Sequence, residues 1–202
     1  HYGCAALGNL AVNDNNQVTI AAEGGITRIL STMEIHSSNA NVQHYGCLAL
    51  GNLAVKKSIQ VTIAKEGGVT TILSAMKKHP SNVNVQLYGC AALWKLAVNE
   101  NNQVIIAEVE GITRILCAMN YHSSNSNIQH YGCGALGNLA ADDNNKVAIA
   151  AAGGITLILS AMENHSSNAT MQHCGCAALW NLAMNDNNQV AIAEAGGITT
   201  IL

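Results

Sequence analysis

Residues His1–Leu30 read HYGCAALGNLAVNDNNQVTIAAEGGITRIL, and this stretch decides the fold because the chain repeats it. Close copies of it begin at His44, Leu87, His130 and His173, which gives a period of 43 residues. The 43 residues that start at His1 and the 43 that start at His130 are identical at 32 positions. A fixed period of about 20–50 residues is typical of repeat proteins in which each unit stacks on its neighbours.

The repeat predicts one elongated domain over residues 1–202. At a period of 43, the 202 residues make about 4.7 units, and the fifth unit ends after 30 residues at Leu202. The chain starts at His1 in the middle of a helical pattern and has no initiator Met. We therefore interpret it as a fragment of a longer array.

Two short helices are expected in the first part of each unit. In the first unit, one helix spans about Asn15–Ala22 and follows an Asn-rich cap that begins at Asn13. The pair Gly24-Gly25 then interrupts the pattern. After this break, apolar residues recur at helical spacing from Ile26 to Met33, which predicts a second helix with one apolar face.

A third and longer helix is expected from about Asn41 to Val55, after the polar break His36–Asn39. One glycine inside this helix recurs in every unit: Gly3, Gly46, Gly89, Gly132 and Gly175. Each costs about 1 kcal/mol relative to alanine, so the column predicts that a neighbouring helix crosses close to the backbone there. The alternative is a neutral glycine that duplication has copied. Strand alternation is absent from the sequence, so the predicted fold class is all-α.

The three-helix unit, with NNQVAIAEAGGI at Asn187–Ile198 and CAALWNLA at Cys176–Ala183, resembles the armadillo repeat family. The likeness covers the whole chain and implies a right-handed α-solenoid, a superhelix of three-helix repeats. Two joints depart from the pattern. Glu110 stands in place of the first turn glycine in the third unit, and Lys56–Ile59 replaces the Asn-rich cap in the second.

The resemblance also implies a binding surface. In armadillo proteins the third helices line the concave face, and an Asn near the end of that helix binds the backbone of an extended peptide. This role falls on Asn9, Asn52, Asn138 and Asn181, with Lys95 at the same position in the third unit. An Asn amide has both donors and an acceptor, so a column of them can pair with the amide groups of an extended chain. The alternative is that these are solvated or capping asparagines near a helix end.

Tryptophans are the second group of candidate contact residues. Importin-like members of the family carry a Trp four residues before that Asn, whereas this chain has Ala5, Leu48, Ala91, Gly134 and Ala177. Recognition of basic nuclear-import signals is therefore not expected. We call the position of that Asn the ladder position. Trp94 and Trp180 directly precede it, at a place where the other units have glycine. Each either fills a gap in the core or projects into the groove, and we include both because interface anchors are enriched in Trp.

The composition limits which partners and which cellular location are expected. Charged residues make up 10% of the chain and its net charge is −3, which gives no reason to expect a nucleic acid or an anionic membrane as partner. The chain has no apolar run of about 18 residues, so membrane insertion is not expected. Five of the seven cysteines form one helical column, typical of small buried hydrophobes in a reducing compartment: Cys4, Cys47, Cys90, Cys133 and Cys176. We therefore expect an intracellular location, in the cytoplasm or the nucleus.

Catalytic, metal and cofactor sites are not expected. The histidines form two columns, one in the loops after the second helices and one at the starts of the third helices. Each unit thus supplies at most two imidazoles, whereas a structural zinc site needs about four ligands. The sequence contains no convincing nucleophile–base pair and no phosphate-binding glycine loop. We expect a protein that is not an enzyme and needs no cofactor.

The leading hypothesis is a non-enzymatic scaffold for protein–protein interaction. Its concave groove would hold a partner polypeptide through the asparagine ladder, with Trp94, Lys95 and Trp180 adding local selectivity. The second hypothesis is structural: a spacer or assembly element of a larger protein or filament, which associates end to end with further repeats or with itself.

Overall fold

The computed structural model describes all residues from His1 to Leu202 and contains 15 α-helices and no strand. The helices are of three types that alternate along the chain, which confirms the predicted three-helix unit. The first helices are α2 (Asp14–Ala22), α5 (Lys57–Lys65), α8 (Glu100–Glu108), α11 (Asp143–Ala151) and α14 (Asp186–Glu194). The second helices are α3 (Gly25–Ile35), α6 (Gly68–Lys78), α9 (Gly111–Tyr121), α12 (Gly154–Asn164) and α15 (Gly197–Ile201). The third helices are α1 (Tyr2–Leu10), α4 (Ala40–Leu53), α7 (Val83–Leu96), α10 (Ser126–Leu139) and α13 (Ala169–Leu182).

Side-chain caps start most of the first and third helices where the sequence predicts. The Oδ1 atoms of Asn13 and Asn39 accept hydrogen bonds from backbone N–H groups in the first turns of α2 and α4. Lys56 at the start of α5 is an exception, because its side chain makes no cap hydrogen bond. The second unit therefore lacks a contribution that an Asn cap makes elsewhere, about 1 kcal/mol.

One apolar core of 48 buried residues runs through the whole array. Of the cysteine column, Cys47, Cys90 and Cys133 belong to this core, Cys4 is also buried, and Cys176 is half-buried. Burial raises the pKa of the Cys47 and Cys90 thiols to about 12, and the neighbouring Cys90 adds to the effect at Cys47. These thiols pack as small apolar groups and stay protonated at neutral pH.

Consecutive third helices pack directly against each other at a column of small residues. A Cβ atom added to Gly8, Gly51 or Gly137 would lie 3.2–3.5 Å from the Cα atom of an alanine on the next third helix. These alanines are Ala49, Ala92 and Ala178. Glycine against alanine thus sets the close spacing of the third helices, since a larger side chain there would separate the backbones.

The glycine column inside the third helices has a related steric cause, but the close neighbour is a side chain rather than a backbone. A Cβ on Gly132 would lie 2.5 Å from Cγ and 2.6 Å from Sδ of Met119 on α9. Met33, Met76 and Met162 meet the corresponding glycines Gly46, Gly89 and Gly175 in the same way. In each case, a methionine of a second helix fills the space that glycine leaves on the third helix that follows it. At Gly3 no atom lies within 4 Å of the added Cβ.

The turn between the first and second helices requires a left-handed residue. Gly24, Gly67, Gly153 and Gly196 adopt φ values of 73–83° there, and Glu110 adopts φ 65° at the same place in the third unit. Positive φ costs a residue with a Cβ about 1–2 kcal/mol. The third unit therefore keeps the turn geometry at an energetic cost.

Buried amide side chains join one unit to the next. Asn102 Nδ2 donates to Gln60 O of the preceding first helix and to Leu96 O at the end of the third helix before it. Asn145 and Asn188 make the corresponding pairs of hydrogen bonds in the next two units. Ile59 occupies this position in the second unit, so α2 and α5 are not joined in this way.

Gly132→Ala is expected to lower the free energy of unfolding by about 1–3 kcal/mol, because the new methyl group collides with the buried Met119 side chain. Gly3→Ala is the matched control: its site is open, so better helix propensity should leave stability equal or higher. Urea denaturation of both variants measures the difference. Equal effects at the two positions would contradict the steric explanation.

Glu110→Gly is expected to raise the free energy of unfolding by about 1 kcal/mol, since glycine adopts φ 65° without the Cβ clash. Gly153→Ala provides the reverse change at the equivalent turn and should destabilise the chain by a similar amount. Thermal unfolding followed by circular dichroism is the measurement. A loss of stability in Glu110→Gly would show that the glutamate side chain contributes more than the turn costs.

Candidate functional site

The ladder asparagines donate hydrogen bonds to the preceding third helix. Nδ2 of Asn52 lies 3.0 Å from Gly8 O, and Nδ2 of Asn181 lies 2.8 Å from Gly137 O. Asn138 donates in the same way to Trp94 O, at 3.0 Å. The accepting carbonyls lie in the last turn of their helices, where no helical N–H group is available to pair with them. Each side chain thus caps the neighbouring helix rather than its own.

This hydrogen bond fixes the orientation of each ladder amide. No protein group donates to Oδ1 of Asn52, Asn138 or Asn181. These oxygens are not buried either, since Oε1 of Gln17 is the one buried side-chain oxygen or nitrogen without a hydrogen-bond partner. The outer part of each amide, Oδ1 and the second N–H of Nδ2, therefore remains free to bind a ligand. Asn9 of α1 is exposed.

Lys95 occupies the ladder position of the third unit and differs from the asparagines in charge. Its side chain is half-buried and makes no hydrogen bond or ion pair; the single ion pair of the chain joins Lys146 to Asp143. Burial lowers the pKa of the Lys95 ammonium group. A cation that is partly removed from water and has no partner is electrostatically unsatisfied.

Trp94 lies over the backbone of the next third helix. A Cβ on Gly134 would lie 2.9 Å from both Cε2 and Nε1 of Trp94, closer than side chains pack. The ring also contacts His130 edge-on, with centroids 5.4 Å apart, and Tyr131 at 5.7 Å. Gly134 is the single glycine in a column that otherwise holds alanine or leucine. The large side chain in the third unit is therefore accommodated by a small one in the fourth.

A cavity of about 430 Å³ opens beside this contact. It is lined by Trp94, by Gly134 and Gly137 of α10, and by Ala177 of α13. The ladder residues Asn138 and Asn181 also line it. The cavity therefore brings together three of the predicted contact residues and falls within the range of volumes typical of ligand sites.

The two tryptophans have different environments. Trp94 is half-buried, packs against the core and lines the cavity, so it combines the two roles that its position suggests. Trp180 is 71% exposed. An exposed indole of this size is available for contact with another molecule.

Charge is distributed unevenly between the helix types. All 12 acidic residues of the chain lie outside the third helices, and Lys95 is the one lysine or arginine within them. The third-helix surface otherwise carries amides, hydroxyls and histidines. His44, at the start of α4, is buried, and loss of hydration lowers its pKa. The candidate site is therefore almost free of formal charge, with one positive centre.

The histidines in the loops after the second helices make structural contacts. Nε2 of His79, His122 and His165 lies 2.8 Å from a carbonyl oxygen in the preceding inter-helix loop, so each imidazole joins two units by donating from Nε2. No group of three or more His, Cys, Asp or Glu side chains is arranged to hold a metal ion.

No single helix is long and apolar enough to cross a membrane. The pair α11 and α12 together has the required length and composition, but the two helices are bent by 72° relative to each other.

The sequence alone did not identify Gly134 as part of the site. The sequence feature that could have identified it is the combination of two exceptions to the repeat, a Trp at position 94 in the third unit and a Gly at position 134 in the fourth. Neither exception alone indicates that the two residues are in contact. The other cavity residues missed are His130, Cys133, Gly137, Thr170, His173, Cys174 and Ala177.

Comparison with known proteins supports the fold. No protein-family model matches the chain, and no curated protein matches it significantly. Among solved structures, the crystal structure of an engineered protein aligns with a TM-score of 0.86 over 98% of this chain and 78% of its own, at 23% sequence identity. The chain is thus similar in architecture to that engineered protein, and an identity at this level supports the fold alone.

Exchanging residues of the Trp94–Gly134 pair tests their steric coupling. Gly134→Ala is expected to destabilise the intact chain, because its methyl group meets the Trp94 ring. In a Trp94→Gly background the same change should instead stabilise by about 1 kcal/mol, through better helix propensity. Denaturant unfolding of the four proteins gives both values. If Gly134→Ala has the same effect in both backgrounds, the two residues are not coupled.

Proposed function

We propose that the chain is a non-enzymatic protein-binding module of the armadillo type. In this proposal the repeats form a right-handed superhelix, and the third helices line a concave groove that holds an extended segment of a partner protein. The chain would act inside the cell, in the cytoplasm or the nucleus, and would need no cofactor. The observation that carries the proposal is the row of ladder amides whose outer atoms are free.

The ladder suits an extended backbone for a geometric reason. Adjacent helices are spaced about 8–10 Å apart, and an extended chain advances about 3.3 Å per residue. One ladder position therefore recurs about every three residues of a bound segment. Each amide can accept from a peptide N–H through Oδ1 and donate to a peptide carbonyl through its second N–H.

Preorganisation strengthens this proposal. The hydrogen bonds from Asn52, Asn138 and Asn181 to the preceding helix hold their side chains in one orientation before a ligand arrives. Binding therefore costs little side-chain entropy, which otherwise amounts to about 0.5–1.5 kcal/mol for each immobilised side chain. With so few charges on the third helices, most of the affinity would come from hydrogen bonds and apolar contact, and the binding should depend weakly on salt.

A structural role is the second candidate. The units share one continuous apolar core, and a repeat built in this way can be extended by further copies, as end-to-end stacking requires. Sedimentation velocity at high concentration tests this role: growing oligomers support it, and a monomer at all concentrations opposes it.

The test of the binding module is a selection from displayed random peptides of about 12 residues, long enough to pass four third helices. The variant Asn52→Ala/Asn138→Ala/Asn181→Ala is expected to bind the selected peptides at least about tenfold more weakly, because each lost hydrogen bond contributes about 0.5–1.5 kcal/mol. Isothermal titration calorimetry measures the affinities.

Asn145→Ala is the matched control. It also removes inter-unit hydrogen bonds, from a buried position on a first helix, so it should lower the stability of the chain without lowering its affinity for the peptides. The proposal fails if no peptide is enriched, or if the ladder variant and the control bind equally well.

A further inference from the structure

The cavity beside Trp94 and the unpaired Lys95 indicate what kind of segment the groove prefers; this inference rests on the proposed function and specifies the partner. We propose that the groove selects an extended partner segment with an uncharged bulky side chain, aliphatic or aromatic, for the cavity between α10 and α13. The same segment carries a carboxylate that pairs with Lys95.

The lining of the cavity specifies an uncharged occupant. It contains no Asp, Glu, Lys or Arg side chain. A charged group placed there would lose hydration without gaining an Asp, Glu, Lys or Arg side chain of opposite charge, which is unfavourable. The Trp94 ring and the bare backbone at Gly134 and Gly137 instead provide apolar contact area, which a bulky aliphatic or aromatic side chain would bury.

The polar lining places the main chain of the segment. Asn138 and Asn181 line the same cavity and have free Oδ1 atoms. A segment whose backbone pairs with these two amides directs one of its side chains between α10 and α13. A residue held on both sides by main-chain hydrogen bonds is well placed for selection by size and shape.

Lys95 specifies the second feature. It is half-buried, it has no carboxylate within hydrogen-bond distance, and the third helices around it contain no acidic residue. An incoming carboxylate would therefore meet a cation that no protein group neutralises. A charge-assisted hydrogen bond of this kind is about twice as strong as a neutral one.

The distance between the two features sets the spacing in the segment. Lys95 lies on α7 next to Trp94, and the cavity extends from Trp94 across α10 to α13, so the space between α10 and α13 is one to two helix spacings along the groove from Lys95. At about 8–10 Å per helix and about 3.3 Å per residue, the carboxylate and the bulky side chain are separated by about two to six residues.

Sequencing the peptides selected from the random 12-residue library is the first test. We expect Asp or Glu to be enriched at one fixed spacing, about two to six positions from Leu, Met, Phe or Trp. Enrichment of Lys and Arg, or peptides without a common spacing, would overturn the inference while leaving the ladder proposal intact.

The second test uses the repeat itself to design the variants. Trp94→Gly/Gly134→Ala gives these two positions the residues that Gly51 and Ala91 hold one repeat earlier, so the helices should stack as they do there. Lys95→Asn likewise restores the ladder residue of the other units. Circular dichroism and urea unfolding verify that both variants are folded.

Double-mutant cycles with one selected peptide give the decisive numbers. Replacing the bulky peptide residue by Ala should weaken binding to the intact chain about tenfold and to Trp94→Gly/Gly134→Ala less than about twofold. Replacing the peptide carboxylate by its amide should weaken binding about threefold, with no effect in Lys95→Asn. If the peptide changes have the same effect on all proteins, the inference is wrong; if the ladder variant also binds normally, the proposed function fails too.

Discussion

Consecutive third helices lie close together because glycine on one helix faces alanine on the next, and the other inter-unit contacts depend on this spacing. Gly137 against Ala178 brings the last turn of α10 within reach of Asn181, whose amide can then donate to the Gly137 carbonyl. Where Trp94 replaces this glycine, its carbonyl still accepts the equivalent hydrogen bond from Asn138 at 3.0 Å, because Gly134 makes room for the ring. Stacking and the orientation of the ladder thus have one common cause.

Trp94 is an exception to this glycine–alanine packing, and Gly134 on the next third helix accommodates it. The indole occupies a position that is glycine in three of the five units, and the helix beneath it has lost its side chain at Gly134. The exchange keeps the helices stacked but redistributes volume, because a flat ring fills the space less evenly than the small side chains it replaces. A cavity lies beside this exchange. The local irregularity thus coincides with a place on the third helices where a concave shape and polar groups occur together.

The helices themselves followed from the sequence, since their signals are local. Asn39 predicts where α4 begins, and the spacing from Ile26 to Met33 predicts the buried face of α3. The glycine column correctly indicated a close neighbour, but not that Met119 would be that neighbour at Gly132. The Trp94–Gly134 contact lay beyond prediction for a geometric reason. It joins residues 40 apart in a sequence with a period of 43, and such an offset arises from how the helices are staggered in the stack.

Ile59 has a consequence for the dynamics of the array. It stands where Asn102, Asn145 and Asn188 each make hydrogen bonds across a joint, so the joint between α2 and α5 lacks a nearest-neighbour coupling that three later joints possess. A stack of repeats behaves as a one-dimensional cooperative system, in which the weakest coupling decides where the system divides. We therefore expect the segment before α5 to open more readily than the remaining array, with faster amide hydrogen exchange.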